Sequence, residues 1–339
     1  MIVQARICQL SAEKLRCQRR RGACSAKLEH DSGIASSQLS GHIAAMDKLK
    51  QVFVFLSHHA SGQVAREYKK IRSATAGIGS AIFLYHHKSN TALPALPTRN
   101  LYLFSDESLS KLNHRMIGLT LVPRHVGFPV LQFFCDNPDF DYYWAIEYDV
   151  RFSGDWFFFF DSFREANYDF LACHLRDYID EPDWPRWPLD HPWKSIALRE
   201  RLRCFNPIFR LSNAALSFLH QSLLHGWCGH NEVLFATLLN HNGFAIADIG
   251  GKGRFTPPDV RENFYTESEP NSIGLLDTGT MRYRPPFLRV GREKNKLYHP
   301  VKPLCSALRE TIGRQCHRWL PSSLVQMLKK MRNTSSVRL

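Results

Sequence analysis

Two carboxylates one residue apart, Glu147 and Asp149, close the run FDYYWAIEYDV at residues 140–150. Side chains of an extended chain alternate faces, so these two acids point one way and Tyr148 the other. Oxygens paired in that manner are ligands for a divalent cation. The residues ahead of them (Tyr142, Tyr143, Trp144, Ala145, Ile146) show little polar alternation, the pattern of a strand covered on both faces. The acids then fall at the strand's carboxyl end, where open α/β sheets place their ligands. Another acid, Glu232, opens a helical pattern in GWCGHNEVLFATLLNHNGFAI, with Asn231 as candidate cap and Val233, Leu234, Leu238 and Leu239 among its apolar positions. The helix dipole favours an acid in that first turn whatever its chemistry. His299, in KLYHPVKP, adds a side chain of metal-ligating type, although a lone His is more often structural.

The elements that must position these residues alternate. VFVFLSHH (52–59) reads as a strand, 62–75 as a helix, SAIFLYHH (80–87) as a second strand, and NLYLFSDESL carries a third strand to Phe104. Strand, helix, strand is the crossover unit of a parallel sheet. RHVGFPVLQFFCDN (124–137) predicts a helix beneath the acidic strand, with Pro129 near its first turn. After a short exit at 150–154, DWFFFFDSF caps the sheet and YDFLACHL (168–175) gives another strand. CFNPIFRLSNAALSFL (204–219) is a strand and then a helix capped by Ser212 or Asn213; FAIADIGG is a short strand, and TMRYRPPFL a return to the sheet. The expected fold class is α/β, a three-layer α/β/α, Rossmann-like arrangement around a mostly parallel sheet.

With 339 residues, 44% of them hydrophobic, the chain can bury one α/β domain of about 250 residues plus tails. The net charge of +13 is uneven: residues 1–45 carry +4 and residues 304–339 carry +6, leaving +3 for the 46–303 domain. A nucleic-acid groove would concentrate charge on the folded domain, so no nucleic-acid partner is expected. The nine cysteines include no CxxC pair, and structural zinc spacing is absent. No uncharged apolar run reaches the roughly 18 residues of a membrane span, and no secretory block opens the chain, so a cytoplasmic location is expected. Residues 1–45 mix Arg19, Arg20 and Arg21 with SGIASSQLSG and no sustained period, which predicts a disordered basic segment and makes Met46 an alternative start. The tail at 304–339 places Leu304, Leu308, Ile312 and Trp319 at helical spacing among arginines. Such a helix either lies on an anionic membrane surface, at the inner face, or docks against the domain.

An acid-x-acid pair at the end of a hydrophobic strand resembles the DxD signature of GT-A glycosyltransferases, the nucleotide-diphospho-sugar transferases, with Glu147 in place of the first Asp. Asn231, Glu232, Ala236, Thr237 and Leu238 resemble the "DE…ATL" run of core-2-type branching GlcNAc-transferases, with Asn replacing the Asp. The resemblance implies a GT-A-like domain over 46–303. Glu147, Asp149 and His299 then hold Mn2+ or Mg2+, and Glu232 is the general base. Ser57 and His58, after the first strand, meet the nucleotide, and Lys302 and Arg292 serve the diphosphate, alone in a metal-independent variant. The donor implied is a nucleotide-sugar such as a UDP-sugar, and the acceptor a hydroxyl of a glycan or lipid-linked sugar. In the long block RDYIDEPDWPRWPLDHPWKS, Trp184, Trp187 and Trp193 either stack on the acceptor's sugar faces or fill a satellite core. Two other classes stay open: a metal-dependent phosphoesterase or nuclease, which needs a second cluster of acids, and a non-catalytic basic adaptor.

Overall fold

The computed structural model describes residues 49–307 apart from 89–91, 96–99, 119–124, 273 and 305. The expected basic N-terminal segment and the C-terminal helix beyond Ala307 lie outside the described residues. The first strand, β1 (Gln51–Ser57), holds Val52, Phe53, Val54 and Phe55 with no exposed surface. Helix α1 (Gly62–Thr75) begins where the Ser61 hydroxyl accepts from Val64 N, and buries Val64, Tyr68, Ile71 and Thr75 along one stripe. β2 (Gly79–His86) and β3 (Leu101–Phe104) follow. α2 (Asp106–Ser110) opens with a capping box at Ser105. α3 (Gly127–Asp136) has Pro129 in its first turn, as expected. Any side chain at Gly127 would meet the Phe235 ring at 2.3 Å, so glycine there permits a close approach to the helix carrying Phe235.

β4 (Tyr142–Glu147) is the acidic strand, and β5 (Arg151–Phe152) follows it after a turn. The aromatic segment forms α4 (Trp156–Asp161), which directs Phe159 and Phe160 into the core. Trp144 packs there against Phe159, Phe160 and Phe163 at 5.2–6.0 Å between centroids. Each such ring contributes about 1.5–3 kcal/mol by burial, and each pair about 0.5–1.5 kcal/mol more. The chain continues through β6 (Phe170–Asp177), β7 (Leu189–Asp190), β8 (Leu202–Ser212), α5 (Asn213–Leu224), β9 (Cys228–Gly229), α6 (Asn231–His241), β10 (Ile246–Asp248) and β11 (Leu297–Tyr298).

Seven strands form the main sheet in the order β10-β6-β8-β4-β1-β2-β3. Only β8 runs against its neighbours; the other pairings are parallel. One face is covered by α2, α3, α5 and α6, the other by α1, α4 and the segment around Phe264 and Met281, giving the three layers expected. β8 is buried along its whole length, including Arg210, whose guanidinium lies 4.1 Å from the Tyr142 ring centre and donates to the Phe163 carbonyl at 2.7 Å. Burial lowers the pKa of Arg210 to about 10. The stretch TMRYRPPFL does not return to the sheet. It makes only isolated bridges, Met281 to His299 and Phe287 to Val301, alongside the segment that carries His299.

Candidate active site

β1 and β4 lie side by side, with Leu56 opposite Glu147, so their carboxyl ends open at one place. The strand stops at Glu147, where Val150 N–H donates to the Glu147 carbonyl at 3.0 Å and closes a turn. Asp149 therefore reaches the site through a turn and not by strand alternation. β11 pairs antiparallel with β5, Tyr298 opposite Arg151, and Val301 N–H donates to the Asp149 carbonyl at 2.8 Å. This pairing sets His299 beside both acids. Its Nε2 lies 3.6 Å from Glu147 Oε2 and 3.5 Å from Asp149 Oδ1.

The other ring nitrogen fixes the chemistry of this group. His299 Nδ1 is 3.0 Å from the Arg282 carbonyl, which only accepts, so Nδ1 carries a proton. In the neutral ring Nε2 then offers a lone pair to two carboxylates that are themselves acceptors. Such an arrangement calls for a positive charge among them, either a proton on Nε2 or a metal ion. Burial alone lowers the His299 pKa, but Asp149 and Glu147 outweigh it and raise the value above that of an ordinary imidazole. Burial, against the pull of His299, raises Glu147. Asp149 Oδ1 is buried with no hydrogen-bond partner. The candidate ligand atoms of Glu147, Asp149 and His299 all lie within 4.8 Å of one another. Two carboxylates, one of them with an orphaned buried oxygen, and one imidazole nitrogen fit a divalent ion such as manganese or magnesium.

These residues border a cavity of about 670 Å³, a size typical of small-molecule sites. Lys302 lines it, with Nζ 3.6 Å from Asp149 Oδ2. So does His58, which packs edge-on to Tyr148 at 5.0 Å. Burial first, and then its neighbour His59, lowers the His58 pKa to about 4, so its imidazole is neutral near pH 7. On a further wall stand His230, Asn231 and Glu232 at the start of α6. The cap of this helix is His230, whose ring accepts from Glu232 N, and Asn231 is the first helical residue, not the cap expected. Glu232 is 8% exposed; its Oε2 lies 3.6 Å from Arg186 Nη1 and 3.4 Å from His230 Nδ1. Burial raises its pKa, with Arg186 and Arg203 offsetting part of the rise.

Several expected site residues stand elsewhere. Ser57 is buried and its hydroxyl is committed to His59, donating to the carbonyl at 2.8 Å and accepting from the amide at 3.0 Å, so it shapes the loop and does not line this cavity. Arg292 is exposed and away from the cavity lining. Trp184 and Trp187 pack with Val233 in a satellite core, only 4% and 3% exposed, which settles their two readings in favour of packing. Trp187 Nε1 donates to the Glu181 carbonyl at 2.9 Å, and the Trp184 ring receives the Arg203 guanidinium at 5.3 Å. Trp193 is 81% exposed and does not border the cavity.

Arg186 and Asn206 are among the cavity residues that were not anticipated. Arg186 lies between the two buried tryptophans in sequence, in a block without periodicity. Asn206 is polar within a fully buried strand and precedes Pro207. That pairing was the available signal, because proline has no N–H for a sheet ladder and marks a bulge. The β6–β8 register does shift there, between Leu171 opposite Arg210 and Cys173 opposite Phe205.

A family model described as "protein of unknown function (DUF3405)" matches residues 85–168, about a quarter of the chain, which include Glu147 and Asp149 but neither Glu232 nor His299. No curated protein matches the sequence. Among solved structures, a glycosyltransferase involved in the glycosylation of the major capsid of PBCV-1 is similar at 8% identity and a TM-score of 0.23. The match covers 51% of this chain and 64% of that one, so the chain spans less than two thirds of that structure's length. A Bacillus anthracis structure described as a glucose-1-phosphate thymidylyltransferase, in complex with sucrose, is similar at 11% identity and a TM-score of 0.33, covering 59% of this chain and 86% of that one. Likeness at these TM-scores carries no argument about chemistry, which rests on the side chains of the site.

Proposed function

We propose that this protein transfers a sugar from a nucleotide-diphosphate sugar, such as a UDP-sugar, to an acceptor hydroxyl of a glycan or lipid-linked sugar. Glu147, Asp149 and His299 hold a divalent ion at the donor diphosphate. Such an ion supplies positive charge to a leaving group that grows more negative as the glycosidic bond breaks. Lys302 adds a fixed positive charge on the same side, 3.6 Å from Asp149. Glu232, whose raised pKa makes it a stronger base than an ordinary carboxylate, takes the proton of the attacking hydroxyl. His58, neutral near pH 7, borders the donor side without adding charge.

The observation that carries this reading is the pairing, in one cavity, of the cation-ready trio with a separate buried carboxyl of raised pKa. A two-metal phosphoesterase would need a second set of ligands, and among the described residues Glu147, Asp149 and His299 are the one group of three close enough to share an ion. The test is a thermal-shift and turnover screen against UDP- and GDP-sugars with and without manganese. The parent should be stabilised by a nucleotide-sugar and should release nucleotide only when manganese is present. Asp149→Asn should lose the manganese dependence with its fold intact. Full turnover in Asp149→Asn and in the presence of a chelator would remove the metal role.

A further inference from the structure

The wall of the cavity contributed by β8 and α6 holds polar atoms that nothing in the protein satisfies. Asn206 is 3% exposed, and neither its Oδ1 nor its Nδ2 has a hydrogen-bond partner. Asn231 is 5% exposed, and its Oδ1 also has none. Both residues line the same cavity as Glu232, and the Asn206 backbone N–H supports the Glu232 carboxylate. The Cys204 thiol donates to the Glu232 carbonyl at 3.0 Å and presents its sulfur to the Asn206 side chain, a weak acceptor for Nδ2 that brings no donor to either Oδ1. Buried polar atoms without partners are uncommon and costly, so two carbonyl oxygens on one wall call for a ligand that completes them.

The kind of atom restricts the ligand. The Oδ1 atoms of Asn206 and Asn231 accept only, and Glu232 beside them is a third acceptor when ionised. A diphosphate consists of acceptors and cannot complete two carbonyl oxygens. A hydroxyl both donates and accepts, so a pair of neighbouring hydroxyls satisfies Oδ1 and Nδ2 of one carboxamide together. Pro207 interrupts the β8 ladder, and the β6–β8 register shifts beside it, where Asn206 and Pro207 line the cavity.

We infer that Asn206 and Asn231 read hydroxyl groups of the transferred sugar and so set the preference for the donor's glycosyl group. This rests on the transferase reading above, and the test separates the two. In manganese, calorimetric titrations compare UDP with UDP-glucose and UDP-N-acetylglucosamine, and GDP with GDP-mannose, for the parent and for Asn206→Leu. The parent should bind one nucleotide-sugar more tightly than its free diphosphate. Asn206→Leu should weaken that nucleotide-sugar about tenfold, the loss of one to two hydrogen bonds, and leave the diphosphate unchanged. Without ligand it should melt no lower than the parent, because a leucine of similar shape removes the unsatisfied atoms. If it melts lower, Asn206→Ala is titrated under the same criterion. A preserved sugar preference, or an equal loss for sugar and free diphosphate, overturns the inference while the transferase reading stands. A parent that binds no member of the panel refutes that reading, and the inference falls with it.

Discussion

Replacing Glu232 by glutamine separates a transferase from a protein that only binds a nucleotide through a metal. A base acts only as the acceptor hydroxyl attacks, so Glu232→Gln should leave nucleotide-sugar affinity near that of the parent while single-turnover transfer falls by about 10² to 10⁴. That corresponds to about 3–5 kcal/mol of lost transition-state stabilisation. The structure also gives the sign of the effect on stability. Two terms oppose each other at this position: the helix dipole favours the ionised acid in the first turn by about 0.3–1 kcal/mol, and burial disfavours it. The pKa is raised, so burial wins even with Arg186 3.6 Å away. Between the ordinary carboxylate pKa and the raised folded value, the folded state binds more protons than the unfolded state. Stability from this residue therefore falls as pH rises through that window, and the glutamine variant escapes the fall. Melting curves from pH 4 to pH 8 should show the two proteins nearly equal at the acid end and Glu232→Gln equal or higher at the neutral end. The acid limb of kcat/KM in the parent should lie above the usual carboxylate range. Transfer at the parental rate would reduce Glu232 to a helix-start acid, and joint loss of donor binding would place it in the donor site.

Two further predictions concern what holds the cavity wall. Arg203, 1% exposed, is paired with Glu181, so Glu181→Ala leaves a buried charge uncompensated and should cost about 3–5 kcal/mol in urea unfolding, whereas Arg203→Met with Glu181→Leu should cost less; equal losses would refute the pairing argument. Trp187→Ala should cost about 3–5 kcal/mol, while Trp193→Ala should stay within about 0.5 kcal/mol of the parent and leave transfer unchanged. A strong loss of transfer in Trp193→Ala at full stability would restore it as an acceptor platform.

The sheet was legible where a run of residues is apolar on both faces. β1, β2, β4 and β6 all follow from such runs, because strands between helical layers need no polar side. What the same runs do not carry is direction. β8 reads as one more buried strand, yet it lies reversed between β4 and β6, and only the connections on either side of it decide that. The pairing of β5 with β11 was beyond sequence reasoning for a different reason. Two residues opposite two show no period, and the partners stand well over a hundred positions apart.

That short pairing sets His299 beside the two acids, and it shows why the acids were legible and their surroundings were not. Glu147 and Asp149 announce themselves by type, at the end of a strand whose other residues are apolar, and both border the cavity although Asp149 is placed by a turn and not by alternation. His299 was picked out by type and, through the resemblance, by its place late in the chain, but the proton on its Nδ1 depends on the Arg282 carbonyl, which lies next to an isolated bridge. Ser57, Trp184 and Trp187 differ in the opposite sense. Their chemistry suited a ligand, but the fold had closer partners for them: the His59 backbone for the hydroxyl, and Val233, Arg203 and the Glu181 carbonyl for the rings. A side chain's chemistry is available to a ligand only when the fold leaves it unsatisfied. By that measure Asn206, which no motif marks, has the stronger claim on a substrate than Trp184, for which stacking on a sugar and packing in a satellite core were both open.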